Sequence, residues 1–349
     1  MFPFVTRRGT KRIVRRAASR IAKALTPAGS GTRKAARSSA APSGGSTLAE
    51  MRAKMRAGAA PEGPAPGRFV EVDGVRVHYI ARGKGRPVVL IHGNGTMAED
   101  FVLCGLLDRL AARYRVIAVD RPGFGHSPRP RHRLWTAAVQ AGFLDRVLTR
   151  LKVENPLVVG HSWGTLVALA LATGGSRELR GLVLLSGYFY PSRRADVTLS
   201  APLALPGFGD AARSLIPRAM GRALAAQSFR HVFRPQPVPA RFTARFPVEI
   251  ATGATQMRAA TEDAATMNNA AAVMEHRYRR LRMPVAILAG DADAVVEAEE
   301  QSVRLHREIA GSTLKRLPGI GHMTHYAARL QVERAIDGLM KPGAGTRTP

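Results

Sequence analysis

Apolar residues recur along this chain in two rhythms. Phe69-Val-Glu-Val-Asp-Gly-Val-Arg-Val-His-Tyr-Ile alternates apolar and polar around Asp73-Gly74, the pattern of a β-hairpin with a tight turn. Pro87–Ile91 is then an unbroken apolar run, and Arg115–Val119 (apolar after its arginine), Leu157–Gly160, Leu182–Leu185 and Pro284–Gly290 repeat it. Helical spacing fills the gaps at Ala137–Leu151, and an apolar helix reads from Thr165 to Ala172, polar only at the threonine. Such alternation predicts an α/β fold: a mostly parallel sheet with helices on both faces. A helix near Val296–Ile309, a strand at Thr313–Leu317 and a last helix near Met323–Met340 complete the expected order.

The rhythm breaks between about Tyr188 and Arg282. That stretch is rich in Pro, Arg, Phe, Met and Ala, contains no run that reads as a buried strand, and has helical spacing near Asp210–Ala225 and Thr255–Tyr278. An insertion of this kind between two sheet strands predicts a mostly helical cap over 188–282, with the core formed by 68–187 and 283–342. Residues 1–67 read differently again. Ile13, Val14, Ala17, Ala18, Ile21, Ala22 and Leu25 fall on one face of a basic amphipathic helix near 11–25, and Pro27 ends it. An Ala-, Ser-, Gly- and Pro-rich stretch follows, with a short helical candidate near Leu48–Ala59, so the arm is expected to be largely disordered.

Composition narrows the classes. With 349 residues and 45% hydrophobic content the chain can bury a sizeable core. A single cysteine, Cys104, excludes an internal disulfide framework and a thiolate metal cluster. No run reaches transmembrane length and the start lacks a secretory signal, so a cytoplasmic protein is expected, with no metal and no organic cofactor. The net charge is +28, and residues 1–70 hold fifteen Lys and Arg against only Glu50 and Glu62. That arm suits peripheral association of residues 1–25 with an anionic membrane or granule surface. The competing readings are an organellar transit peptide, were the source eukaryotic, and non-specific polyanion binding; a dedicated nucleic-acid role is not expected.

The chemistry centres on Gly160-His161-Ser162-Trp163-Gly164, set between a strand and a helix. A serine on that turn is held up on a tight bend, and the Trp163 N–H that follows it is aimed where an oxyanion would form. Other motifs also follow strands: His92-Gly93-Asn94-Gly95, Asp120-Arg-Pro-Gly-Phe-Gly-His-Ser127, Asp291-Ala-Asp293 and Gly321-His322. All fall at one edge of the expected sheet, where open α/β sheets carry their sites. His161, His126 and Asp120 read as structural, and His325 as a helix-face residue.

On these motifs the chain resembles the α/β-hydrolase superfamily from about residue 68 to 340, and within it the capped, serine-nucleophile, esterase-like branch. The resemblance implies Ser162 as nucleophile, His322 as general base and acid, and Asp293 as the carboxylate orienting His322, with Asp291 the alternative. It implies an oxyanion hole from Gly93, Asn94 and Trp163, and a small acyl substrate: an ester, or else a lactone or thioester. Amidase, aminopeptidase and perhydrolase activities share the same triad, and a non-catalytic surface-binding member is the rival of another class. Asn94 and Trp163 also resemble the halide-gripping pair of haloalkane dehalogenases. That branch and the epoxide hydrolases use a carboxylate nucleophile, whereas alkylated Ser162 would be a stable ether. Arg outnumbers acidic residues 14 to 6 between Pro191 and Met283, which reads as a solvated helix face or an anionic substrate.

Overall fold

Alternate residues of each central strand enter two different cores. In a computed structural model, Val89 and Ile91 face one cluster while Val88 and Leu90 face the other. Leu182 and Leu184 are likewise separated from Val183 and Leu185. Fully burying one such aliphatic side chain stabilises the fold by about 1.5–3 kcal/mol, so a strand apolar on both faces stays between two layers. The structure describes residues 65–174, 177–192 and 218–341, together with 204, 207, 209 and 210. The expected helices near 11–25 and 48–59 lie outside the described residues, as does most of the first half of the one near 210–225.

The strands are β1 (Arg68–Val72), β2 (Val75–Arg82), β3 (Pro87–Ile91), β4 (Arg115–Val119), β5 (Leu157–His161), β6 (Gly181–Leu185), β7 (Val285–Gly290) and β8 (Thr313–Leu317). They form one eight-stranded sheet in the order β1-β2-β4-β3-β5-β6-β7-β8. β1 pairs antiparallel with β2 and β2 with β4; the remaining pairs are parallel. Val72 pairs with Val75 across a turn whose residues Asp73 and Gly74 have φ of 50° and 71°, as a two-residue hairpin requires.

Helices α1 (Glu99–Leu103) and α2 (Leu106–Ala111) follow β3. Neither was expected, because five and six residues are too few for a helical period to stand out. α3 (Ala137–Arg150) starts where the Thr136 hydroxyl accepts from Val139 N–H at the N-cap. α4 (Gly164–Thr173) is buried over nearly all its length, so it has no polar face to read. α3 and α4 supply one core, and α1, α2 and the C-terminal helix the other.

Between β6 and β7 the described residues are helical: α5 (Arg218–Phe233), α6 (Ala240–Arg245), α7 (Val248–Ala251), α8 (Ala254–Glu275) and a 3-10 turn at Tyr278–Arg280. Phe233, Phe242 and Phe246 from this insertion pack with Met97, Leu103 and Met323 of the core. After β7 a π-helical turn (Glu299–Val303) runs into α9 (Arg304–Glu308). The single last helix expected is two, α10 (Thr324–Ala327) and α11 (Arg329–Met340), parted where Ala328 leaves helical dihedrals at φ −125°, ψ 35°.

Candidate active site

β5 ends on His161, and the chain reverses at once: Ser162 has φ 51°, in the left-handed region. Ser162 N–H donates to Leu185 O at 2.9 Å and Thr165 N–H to Ser162 O at 3.0 Å, so the serine is pinned between β6 and the first turn of α4. The bend needs small neighbours. A Cβ on Gly164 would lie 2.5 Å from the carbonyl oxygens of Ile91 and His92, and one on Gly93 would lie 3.1 Å from Ser162 Cβ. The loop after β3 therefore rests directly against the serine.

Ser162 donates its hydroxyl proton to His322 Nε2 at 2.9 Å, and His322 Nδ1–H donates to Asp293 Oδ2 at 2.9 Å. Ser162 and His322 are buried, and the side chain of Asp293 is 2% exposed. Its other oxygen accepts from Val295 N–H at 2.8 Å and Val296 N–H at 2.9 Å, which fixes the carboxylate opposite His322 Nδ1. Ala292 N–H donates to Ile320 O at 3.0 Å, tying the acid loop to the histidine loop. Asp291 points elsewhere, to Arg316 Nε at 2.7 Å, with its carboxylate 29% exposed. The backbone N–H groups of Asn94 and Trp163 donate no hydrogen bond among the described residues.

The side chains of Asn94 and Trp163 are engaged by the insertion. Asn94 Nδ2 donates to Ala260 O at 3.0 Å, and the buried Trp163 indole N–H donates to Asp263 O at 3.0 Å, both on α8. Asp263 is itself fully buried and accepts from Arg121, from Arg129 Nη2 at 3.0 Å and from Gln140 Nε2 at 3.0 Å. These partners were missed because charges on α8 and its neighbours read as a solvated face. The one available signal was Glu262-Asp263, the only acidic pair inside an Ala- and Met-rich helix. Gln236 was missed too. Its amide donates to Gly319 O at 2.7 Å and accepts from Gly321 N–H at 3.0 Å, fastening the loop that carries His322.

Behind His322 lies more imidazole. His161 Nε2–H donates to His322 O at 3.1 Å, and its ring centre lies 4.3 Å from that of His325 with the rings tilted by 57°. His325 is on a helix as expected but wholly buried, not surface-facing: it donates to Asp100 Oδ2 at 2.9 Å, and Tyr326 OH donates to Asp100 Oδ1 at 2.7 Å. Asp100, His161 and His325 bring three ligating atoms within 4.8 Å. His325 Nε2 and His161 Nε2 already donate to Asp100 and to a carbonyl, which is what a hydrogen-bonded brace requires. Burial first, then the nearby His325 and His322 rings, pushes His161 well below the ordinary imidazole range. Asp120 is a hub of the Gly-rich turn, accepting from His78 Nδ1 at 2.6 Å, Ala98 N–H at 2.7 Å and His126 N–H at 2.9 Å. Burial opposes its charge, but the His78 hydrogen bond and charge outweigh it and hold the carboxyl low.

A family model for the alpha/beta hydrolase fold matches residues 86–328. The chain is 38% identical over 148 residues to the dihydrolipoyllysine-residue acetyltransferase component of an acetoin cleaving system from Cupriavidus necator, covering 42% of this chain and 34% of that protein. It is 30% identical over 129 residues to haloalkane dehalogenase 2 of Mycobacterium tuberculosis, covering 37% and 44%. The chain thus matches less than half the length of either relative. Among solved structures, an esterase from Exiguobacterium antarcticum superposes with a TM-score of 0.64 at 21% identity, covering 79% of this chain and all of that one. Among the described residues no helix is long and apolar enough to cross a membrane.

Proposed function

The chain belongs to the alpha/beta hydrolase fold family, and from that premise we propose that it is a serine hydrolase cleaving a carboxylic ester, with 188–282 as its cap. The observation that carries this reading is the unbroken relay from Ser162 Oγ through His322 to Asp293, at 2.9 Å and 2.9 Å, mounted on a serine in left-handed backbone. Ser162 Oγ attacks the acyl carbon while its proton passes to His322 Nε2. Asp293 keeps the other ring nitrogen protonated and stabilises the imidazolium. The Trp163 and Asn94 backbone N–H groups receive the oxyanion, and Gly93 lets that loop come close. The imidazolium then protonates the leaving alkoxide, and water, deprotonated by His322, releases the acid and restores Ser162.

Haloalkane chemistry is disfavoured on two counts. Ser162 alkylated at Oγ would be an ether that water does not cleave. The single indole N–H of Trp163, which would have to help grip a halide, already donates to Asp263 O, and one of the two Asn94 Nδ2 hydrogens to Ala260 O. Residues 1–25, which lie outside the described residues, are proposed to bring the enzyme to an anionic surface. Sedimentation with anionic vesicles tests this: equal partitioning of the full chain and a chain starting at Arg68 would end that part of the proposal.

Hydrolysis of p-nitrophenyl esters from acetate to long-chain acyl groups, beside Ser162→Ala, tests the main reading. Turnover abolished by the substitution is the expected result, and the preferred chain length sizes the acyl site. Turnover that survives in Ser162→Ala would overturn the mechanism. Activity on anilides but on no ester would move the reading to an amidase.

A further inference from the structure

Three residues on one face of α8 reach the loop that follows β3 and the residue after the nucleophile. Gln256 Nε2 donates to Gly95 O at 3.2 Å, Ala260 O accepts from Asn94 Nδ2, and Asp263 O accepts from the Trp163 indole. Their spacing of four and then three residues places them in line along the helix. Asp263 extends this contact through its carboxylate. It pairs with Arg121, whose guanidinium donates to Gly93 O at 3.0 Å and His92 O at 3.1 Å, and lies 4.5 Å from the Trp163 ring. Arg121 is 3% exposed and Asp263 0%, so both charges depend on these partners.

The consequence follows from peptide geometry. Gly93 C=O and Asn94 N–H belong to one planar trans peptide and point in opposite directions. Holding Gly93 O with Arg121 Nη2, and with His92 Nδ1 at 2.8 Å, fixes where Asn94 N–H is aimed. Holding the Trp163 indole likewise restrains the residue whose N–H is the second donor. We infer that Asp263 is a positioning residue for the oxyanion hole, so that both oxyanion donors reach their working directions only when helix α8 is seated. This inference rests on the serine hydrolase reading and adds that the insertion does more than cover substrate: it assembles the electrostatic half of the site.

The test uses the full-length chain and an alkyl fluorophosphonate. Ser162 Oγ bonds to phosphorus, fluoride leaves with the P–F electron pair, His322 takes the hydroxyl proton, and the phosphoryl oxygen occupies the oxyanion hole. The readouts are the limiting labelling rate and the half-saturating probe concentration, with thermal unfolding alongside. Asp263→Asn is expected to slow the limiting rate about 100-fold, the scale of an ångström-level misplacement, with half-saturation unchanged. Trp163→Phe keeps the ring and removes the indole donor, and is expected to slow labelling in the same sense. It also decides the matter should Asp263→Asn fail to fold. Glu262→Gln weakens contacts to Arg129 and Arg258 in the same cluster but touches neither oxyanion segment. It is expected to lower Tm and leave the labelling rate alone. Wild-type labelling by folded Asp263→Asn, or equal slowing by Glu262→Gln, would overturn the inference. An unlabelled wild type would instead sink the serine hydrolase reading and this one with it.

Discussion

His322–Asp293 and His325–Asp100 are the same chemical pair at the same separation, 2.9 Å, three residues apart on the histidine side. Both are buried. They differ in what the second ring nitrogen meets. His322 Nε2 meets the hydroxyl of Ser162, whereas His325 Nδ1 is buried with no partner. They differ also in what else holds the carboxylate: two backbone N–H groups for Asp293, a tyrosine hydroxyl for Asp100. A carboxylate can polarise an imidazole anywhere in a core. Only a nucleophile on the far side of the ring makes the arrangement chemistry, and without one the pair is architecture.

The sharpest way to break that comparison is at Ser162, the proposed nucleophile. Ser162→Ala is expected to lower kcat by about 10⁶, as when a triad serine is removed elsewhere, with Tm little changed; ester turnover on purified protein reads it. Asp293→Asn comes next. An amide donates toward the ring and favours the wrong tautomer, so a loss of about 10⁴ in kcat is expected. Retention of most activity would move the orienting role to another acid. The mirror experiment is Asp100→Ala. Breaking a buried pair from one side costs about 3–5 kcal/mol, so chemical denaturation is expected to register a large loss while kcat falls less than tenfold. A kcat loss matching that of Asp293→Asn would erase the distinction drawn here.

A smaller effect comes from pH. His92 accepts from Arg121 N–H at Nε2 and donates to Gly93 O at Nδ1, so its neutral form is fully bonded. Burial first, then the Arg121 charge, pulls its pKa from 6.5 to about 3. The unfolded chain takes up a proton near pH 6.5 and the folded one does not until about pH 3. Stability is therefore untouched by this group above 6.5 and declines as pH falls through that window. Tm measured downward from pH 7 is expected to drop, and less steeply in His92→Asn; parallel slopes would place the effect elsewhere. The smallest effect is expected at Asp291→Asn, whose partner Arg316 is half-exposed. Unchanged kcat and unchanged Tm are the outcome, and a lost activity would reopen the choice between Asp291 and Asp293.

Local pattern carried part of this. The strand before Ser162 and the apolar helix after it were legible because burial on both faces leaves no polar residue to confuse the period. The resemblance to the family, not spacing alone, favoured Asp293, three residues after Gly290, over Asp291. What escaped was long-range. Asp263, Arg121 and Arg129 look like surface charges in one dimension, and only folding brings residues 121, 129 and 263 into one buried cluster. His325 and the break at Ala328 escaped for the same reason: Asp100, 225 positions earlier, takes hold of His325 and then of Tyr326. Helices α1 and α2 were too short to carry a period at all.

The left-handed backbone at Ser162 has a bearing on how such chains diverge. Asp and Asn enter that region more readily than Ser, so the bend is a mount that does not choose its own warhead. On the proposed ester reading, halide displacement is opposed by the serine itself and by the hydrogen bonds that tie the Asn94 and Trp163 side chains to carbonyls of α8. Ser162→Asp alone is accordingly expected to release no halide from a haloalkane, measured by ion chromatography. On this reading a change of reaction class needs two changes at once, a carboxylate at position 162 and a displaced α8 contact between Gln256 and Asp263.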